Sequence, residues 1–247
     1  MTQTCSVLNN GIAAKPDARR DRYLVARRGR SRGGDLMAIR KLAGSTLIMG
    51  AVTALVIGGS AAPAFAATWT VHPGGAFAGR AVTTTTLTDT GVPTTISCTS
   101  STLKGALVSG TVASGTHLGR ILAASFQTCT DLANSATFTV TSTHTPWWLN
   151  AASYTSPVTI AHLVGIHLTL TNSTCSAVVD GTTSANADNG TVKIKYSNSN
   201  HDMKVVSASG NLRIYVITGC SGVFVNNDTV HYAATYAITP QQTITSP

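Results

Sequence analysis

Glutamate is absent: all nine acidic residues of the 247 are Asp. That absence excludes a His-Glu-x-x-His metal motif, the closing ligand of an EF-hand loop and any Glu-based glycosidase pair. No Cys-x-x-Cys and no close Cys/His spacing occurs, so a structural zinc centre is not expected and no metal or cofactor is assigned. No Gly-x-Ser-x-Gly elbow is present either. A serine triad drawn from distant strands stays open, because triads are defined by geometry. Charged residues make up only 11% of the chain, too few to keep it unfolded by self-repulsion, so it is expected to fold. Charged helix formers are scarce while Thr, Val and other β-branched residues abound, which predicts sheet rather than helix.

The charge that exists is uneven. Residues 1–66 carry ten Lys or Arg against three Asp, whereas residues 67–247 carry seven against six. The basic character therefore belongs to the leader. The remainder has no evident basic patch, and nucleic acid is not an expected partner.

Residues 45–59, STLIMGAVTALVIGG, form an apolar run preceded by Arg40 and Lys41 and followed by Ala64-Phe65-Ala66. These are the three regions of a secretory signal. The run is shorter than the roughly 20 residues a membrane span needs. Cleavage after Ala66 is expected, so membrane contact is through the signal peptide alone, before cleavage. The basic stretch 1–36 lies outside the signal pattern, and Met37 is read as the true start. Two regions follow: a leader, 1–66, and one secreted domain, 67–247.

Cys5 falls in the leader. Cys98, Cys129, Cys175 and Cys220 remain, an even number in an exported chain, which predicts two disulfides. Three pairings are possible. Cys98–Cys129 with Cys175–Cys220 is favoured, because each pair brackets one set of short strands.

Period-two alternation recurs along the domain. Ala136, Phe138 and Val140 form one face. Val192, Ile194 and Tyr196 form another, as do Leu212, Ile214 and Val216, and the run Val230 to Ile238. Ile160, His162, Val164, Ile166, Leu168 and Leu170 are predicted to share one face of a long strand. Asp188-Asn189-Gly190 reads as a hairpin turn, and Ser209-Gly210-Asn211 and Asn226-Asn227-Asp228 as turns. Gly105, Gly110, Gly115 and Gly119 suggest a hairpin with bulges. About a dozen short strands without a crossover helix predict an all-β, antiparallel sandwich or barrel.

The stretch Thr68-Trp69-Thr70-Val71-His72-Pro73-Gly74-Gly75 resembles the mature start of a family of uncharacterised secreted actinobacterial proteins. Ser100-Ser101 after Cys98, Pro146-Trp147-Trp148-Leu149-Asn150, Gly219-Cys220-Ser221-Gly222 and the ending 239–245 extend the likeness over nearly the whole domain. The resemblance implies export, an actinobacterial source and four cysteines. It implies no activity.

Seven histidines invite a metal or catalytic reading: His72, His117, His144, His162, His167, His201 and His231. None sits in a ligand motif. His162 is expected in the core, and His167 and His231 in solvent. Asp180, Asn186, Asp188 and Asn189 loosely suggest a calcium loop, which turn chemistry explains more simply. The six Asp of the domain present no evident catalytic pair.

Trp147 and Trp148 are the candidate ligand-binding residues. Neighbours on a strand face opposite ways, so one can enter the core while the other stays at the surface, where it can stack on a sugar or an apolar ligand; the favoured alternative is that both pack in a corner of the fold. The expected function is a non-enzymatic secreted or cell-envelope protein that binds a partner, glycan or small ligand. The alternatives are a secreted hydrolase with a dispersed triad and a pore made of β-hairpins.

Overall fold

The structure is a computed structural model that describes residues 68–247; Cys5, Met37, the apolar run 45–59 and the expected cleavage site lie outside the described residues. Among the described residues there is no helix and there are sixteen strands. The first six are β1 (Trp69–His72), β2 (Gly75–Ala81), β3 (Thr85–Asp89), β4 (Thr95–Leu107), β5 (Gly110–Val112) and β6 (Gly119–Asp131). The middle set is β7 (Thr137–Ser142), β8 (Trp147–Thr155), β9 (Val158–Ile166), β10 (Leu168–Thr171) and β11 (Cys175–Asp180). The last are β12 (Gly190–Ser197), β13 (Asp202–Gly210), β14 (Arg213–Gly219), β15 (Val230–Thr239) and β16 (Thr243–Thr245).

Eight strands close into an antiparallel barrel in the order β4-β6-β8-β9-β12-β13-β15-β2 and back to β4. A barrel has no free edge, which removes the exposed backbone that would invite aggregation. The long strands β4, β6 and β15 outrun this ring. Their other halves pair with β3 and β7 and start a second one, β3-β4-β6-β7-β10-β11-β14-β15. The second ring closes where Arg213 bridges Thr229 and the Val230 amide donates to the Leu212 carbonyl. A three-stranded sheet, β16-β1-β5, packs on the first barrel through Trp69, Val71 and Ile244.

Alternation builds the interior. In β12, Val192, Ile194 and Tyr196 are buried while Thr191, Lys193 and Lys195 are not. β15 buries Val230, Tyr232, Ala234, Tyr236 and Ile238. Each buried Val or Ile among them contributes roughly 1.5–3 kcal/mol before entropy is counted. Both expected disulfides form. Cys98 and Cys129 are cross-strand partners on β4 and β6, and Cys175–Cys220 ties β11 to the end of β14. Both belong to the second ring.

Two sequence expectations need correction. The face proposed for Ile160 to Leu170 changes sides midway. Gly165, at φ +89°, is an extra residue between the pairs Val164–Thr191 and Ile166–Gly190. This bulge needs a left-handed backbone that glycine adopts at little cost. Before it, Ala161 and Leu163 point inward and His162 does not; after it, Ile166, Leu168 and Leu170 do. His162 is thus half-buried on the outer face rather than in the core. Asp188-Asn189-Gly190 is not a hairpin turn either. β11 pairs with β10 and β14, β12 with β9 and β13, and the loop carries the chain from one ring to the other.

A polar chain crosses the seam between the rings. The Tyr232 and Tyr236 hydroxyls lie 2.6 Å apart, Ser101 Oγ is 3.0 Å from Tyr236, and Ser101 Oγ is 2.6 Å from Thr85 Oγ1. Burial pushes the Tyr232 phenol well above its ordinary value, with the neighbouring Tyr236 adding to it, and burial also raises Tyr236. Tyr196, buried and donating to the Gln242 carbonyl, is pushed up to about 12, the Gln242 N–H offsetting part of the rise. A group whose folded value is raised contributes its stability fully below its unfolded value, near pH 10, and loses it as pH climbs through the folded one. For Tyr196 this is on the order of 3 kcal/mol. We expect these three phenols to ionise only as the protein unfolds near pH 12, read as absorbance at 295 nm beside circular dichroism. Reversible ionisation of all tyrosines near pH 10 with a native spectrum would contradict it.

Candidate functional site

The Trp pair separates as strand geometry requires. Trp147 points into the first barrel and is 0% exposed, whereas Trp148 stands half-buried on the outer wall. Trp147 therefore offers no face to a ligand, and its Nε1 has no hydrogen-bond partner. Around Trp148 there is a groove of about 240 Å³ lined by Leu107, Val108, His117, Arg120 and Trp148 among others.

Local structure places each wall of that groove. Arg120 on β6 is the cross-strand partner of Trp148 on β8. His117, at φ +54°, sits in the turn before β6, and its amide donates to Asn150 Oδ1 at 2.7 Å. Asn150 lies on the same face as Trp148, two residues on. The anchored turn lays the imidazole over the indole, with ring centroids 4.3 Å apart and planes inclined by 34°. The outward row continues from Trp148 to Val164 and Thr191. It ends at a second, shallower groove of about 430 Å³ bordered by His162, Thr191, Lys193 and Asn211. Four strands, β6 to β12, separate the row's ends, about 15 Å at ordinary strand spacing.

A second cluster, missed by sequence reasoning, gathers at the connections between the rings. His144 comes from the β7–β8 connection, His167 from the junction of β9 and β10, and Asp188 from the β11–β12 loop. Asp188 Oδ1 lies 2.6 Å from His144 Nδ1 and 3.2 Å from His167 Nδ1. The two imidazoles stack at 4.3 Å. His167 was expected in solvent and is only 3% exposed, because His144 and the β11–β12 loop cover it. The Gly165 bulge is what leaves it on the outer side of the strand, beneath that loop.

Beneath the cluster lies Asp180, 0% exposed. Its Oδ1 accepts the Gly181 and Asn189 amides at 2.6 and 3.0 Å. Its Oδ2 accepts the Asp188 amide and faces His167 Nδ1, each at 3.0 Å. Burial alone would raise its pKa, but these four hydrogen bonds together hold it below the usual carboxylate value. Asp89 shows the opposite balance. Burial raises it, and the two amides of Gly91 and Val225 do not offset that beside Asp228. Asp131, also fully buried, accepts the Ala133 amide and the Asn134 side chain. Three of the six Asp thus organise loops at strand ends. The calcium reading of 180–189 gives way to this, since Asp180 spends its oxygens on backbone amides.

No protein family, curated protein or solved structure matches this chain.

Charge is also sorted between the rings. Six of the domain's seven cations, Arg80, Lys104, Arg120, Lys193, Lys195 and Lys204, lie on strands of the first barrel, and five of its six Asp, Asp89, Asp131, Asp180, Asp188 and Asp228, lie on or beside the second ring; Arg213 on β14 and Asp202 on β13 are the exceptions. The first-barrel cations come from five strands, with Lys193, Lys195 and Lys204 on the neighbouring β12 and β13.

Proposed function

We propose that this chain is an exported, non-enzymatic binding protein that holds a glycan against the Trp148 groove. The observation that carries this is the His117–Trp148 pair, an anchored aromatic platform flanked by Arg120. Aromatic faces bind the apolar faces of sugars, and the flanking Arg120, Asn150, His162 and Lys193 supply hydrogen-bond donors along the row to the second groove. Two cations on that row favour a glycan bearing carboxylate or phosphate groups. The two disulfides suit an oxidising compartment, in keeping with export to the cell exterior or envelope.

The other readings gain less. Among the described residues, the hydrogen bonds of histidine ring nitrogens go to Asp188, Asp180 and the Gln242 carbonyl, and none goes to a Ser or Thr hydroxyl. A hydrolytic triad has no support in that pattern. The barrel faces apolar side chains inward and Thr, Lys and Arg outward, the reverse of a lipid-facing pore.

The test is a glycan array probed with the purified protein and its Trp148→Ala variant. The wild type should retain a set of acidic glycans, and the variant should bind them roughly 10-fold more weakly, the value of one aromatic contact. Silence of the wild type across the array, or equal binding by the variant, would overturn the reading.

A further inference from the structure

We propose that His144, His167 and Asp188 form a site for one divalent transition-metal ion of the zinc class. The three side chains come from three different chain connections, and one ligand atom of each lies within 4.8 Å of the other two. Ligands bound to one zinc at about 2.0–2.1 Å stand roughly 3.3 Å apart in a tetrahedron. The His167–Asp188 contact is 3.2 Å, and the His144–Asp188 contact, at 2.6 Å, would open by a fraction of an ångström.

The contacts as they stand suit a proton on each Nδ1, that of His144 directed at Asp188 Oδ1 and that of His167 at Asp180 Oδ2, with Asp188 Oδ1 slightly farther off. A divalent ion can replace both protons and bind the same three atoms. Two imidazoles and one carboxylate suit zinc, cobalt, nickel or copper, and are a poor set for calcium or magnesium, which prefer oxygen cages. Three protein ligands leave a fourth position for water. The way in is open, since the His144 and Asp188 side chains are 50% and 47% exposed.

The surroundings suit a cation. Asp180 Oδ2 lies 3.0 Å from His167 Nδ1 and brings a second negative charge beneath the ion. Backbone geometry supports the placement as well: His144 and Asp188 stand at φ +54° and +50°, a region that non-glycine residues occupy at a cost. The ion would clip the β7–β8, β9–β10 and β11–β12 connections together at the seam of the two rings. This site does not depend on the Trp148 groove.

The experiment uses the purified, disulfide-bonded protein stripped with a chelator. Cobalt(II) is titrated and its visible absorption followed, then zinc is added in competition, with calorimetry for zinc alone. The expected result is one cobalt per chain with tetrahedral-type bands, displaced by one zinc and untouched by calcium. Zinc should also raise the melting temperature, since binding to the folded state alone stabilises it. H144A and D188N alter exposed side chains, and each should weaken zinc binding roughly 100-fold with circular dichroism unchanged. H117A, at the groove, should bind zinc as the wild type does. Absence of a saturable cobalt spectrum, or wild-type zinc affinity in both H144A and D188N, would overturn the site.

Discussion

Replacing all four domain cysteines by alanine should leave the protein largely unfolded at room temperature. The cystines close loops with sequence separations of 31 and 45 residues. The loop-entropy relation gives about 4 kcal/mol for each. The loops do not overlap, so their contributions add, to about 8 kcal/mol. A domain of this kind has roughly 5–15 kcal/mol to lose. Both bonds lie in the second ring, whose closure between β14 and β15 is a short bridge rather than a full ladder. That ring is expected to open first. Urea unfolding of the two single-pair variants, Cys98→Ala/Cys129→Ala and Cys175→Ala/Cys220→Ala, should show a loss of about 4 kcal/mol each. Amide exchange in the Cys175→Ala/Cys220→Ala variant should rise across β11 and β14 before it rises in β9 and β12. A loss below about 1 kcal/mol for either pair would mean that the unfolded chain is already compact and gains little from the cross-link.

Period two made the architecture legible, because a strand with one buried face has to alternate. The inward sets of β7, β12 and β15 could be read directly, whereas the split between Trp147 and Trp148 was open to strand geometry but not the favoured reading. The pairing of the cysteines followed from the same strand grouping. Reading failed where one residue resets the alternation. Gly165 looks like any glycine in a strand, yet its bulge moves His162 outward and places His167 under a loop. It failed again at 188–190, where turn chemistry is real but the flanking strands pair with others. The His144, His167 and Asp188 cluster has no local signature, since its members are separated by more than twenty residues each and meet only where three connections pass between the rings. His117 beside Trp148 was hidden for the same reason: an Asn150 side chain from another strand sets its position.

Asp180→Ala should cost about 4 kcal/mol, although it removes only a few atoms. The carboxylate is where the β11–β12 loop is fastened. It accepts amides from both ends of that loop, Gly181 at the start and Asp188 and Asn189 at the finish, and it faces the buried His167. Alanine leaves those donors enclosed with no acceptor, and each orphan costs roughly 1–3 kcal/mol unless water enters. Water entry would itself require the loop to lift from β10 and β14, exposing the Gly181 carbonyl that Tyr215 binds at 2.6 Å. Asp180→Asn separates charge from shape. Its amide keeps the volume but turns a donor toward two of the N–H groups, so it should cost about half as much. Urea unfolding measures the difference, and amide exchange at Asp188 and Asn189 shows whether the loop has come loose. If Asp180→Ala lost under 1 kcal/mol and those amides stayed protected, the loop would be held by its neighbours and not by this carboxylate. The β11–β12 loop would then keep Asp188 beside the two histidines without its buried anchor, which the four hydrogen bonds to Asp180 argue against.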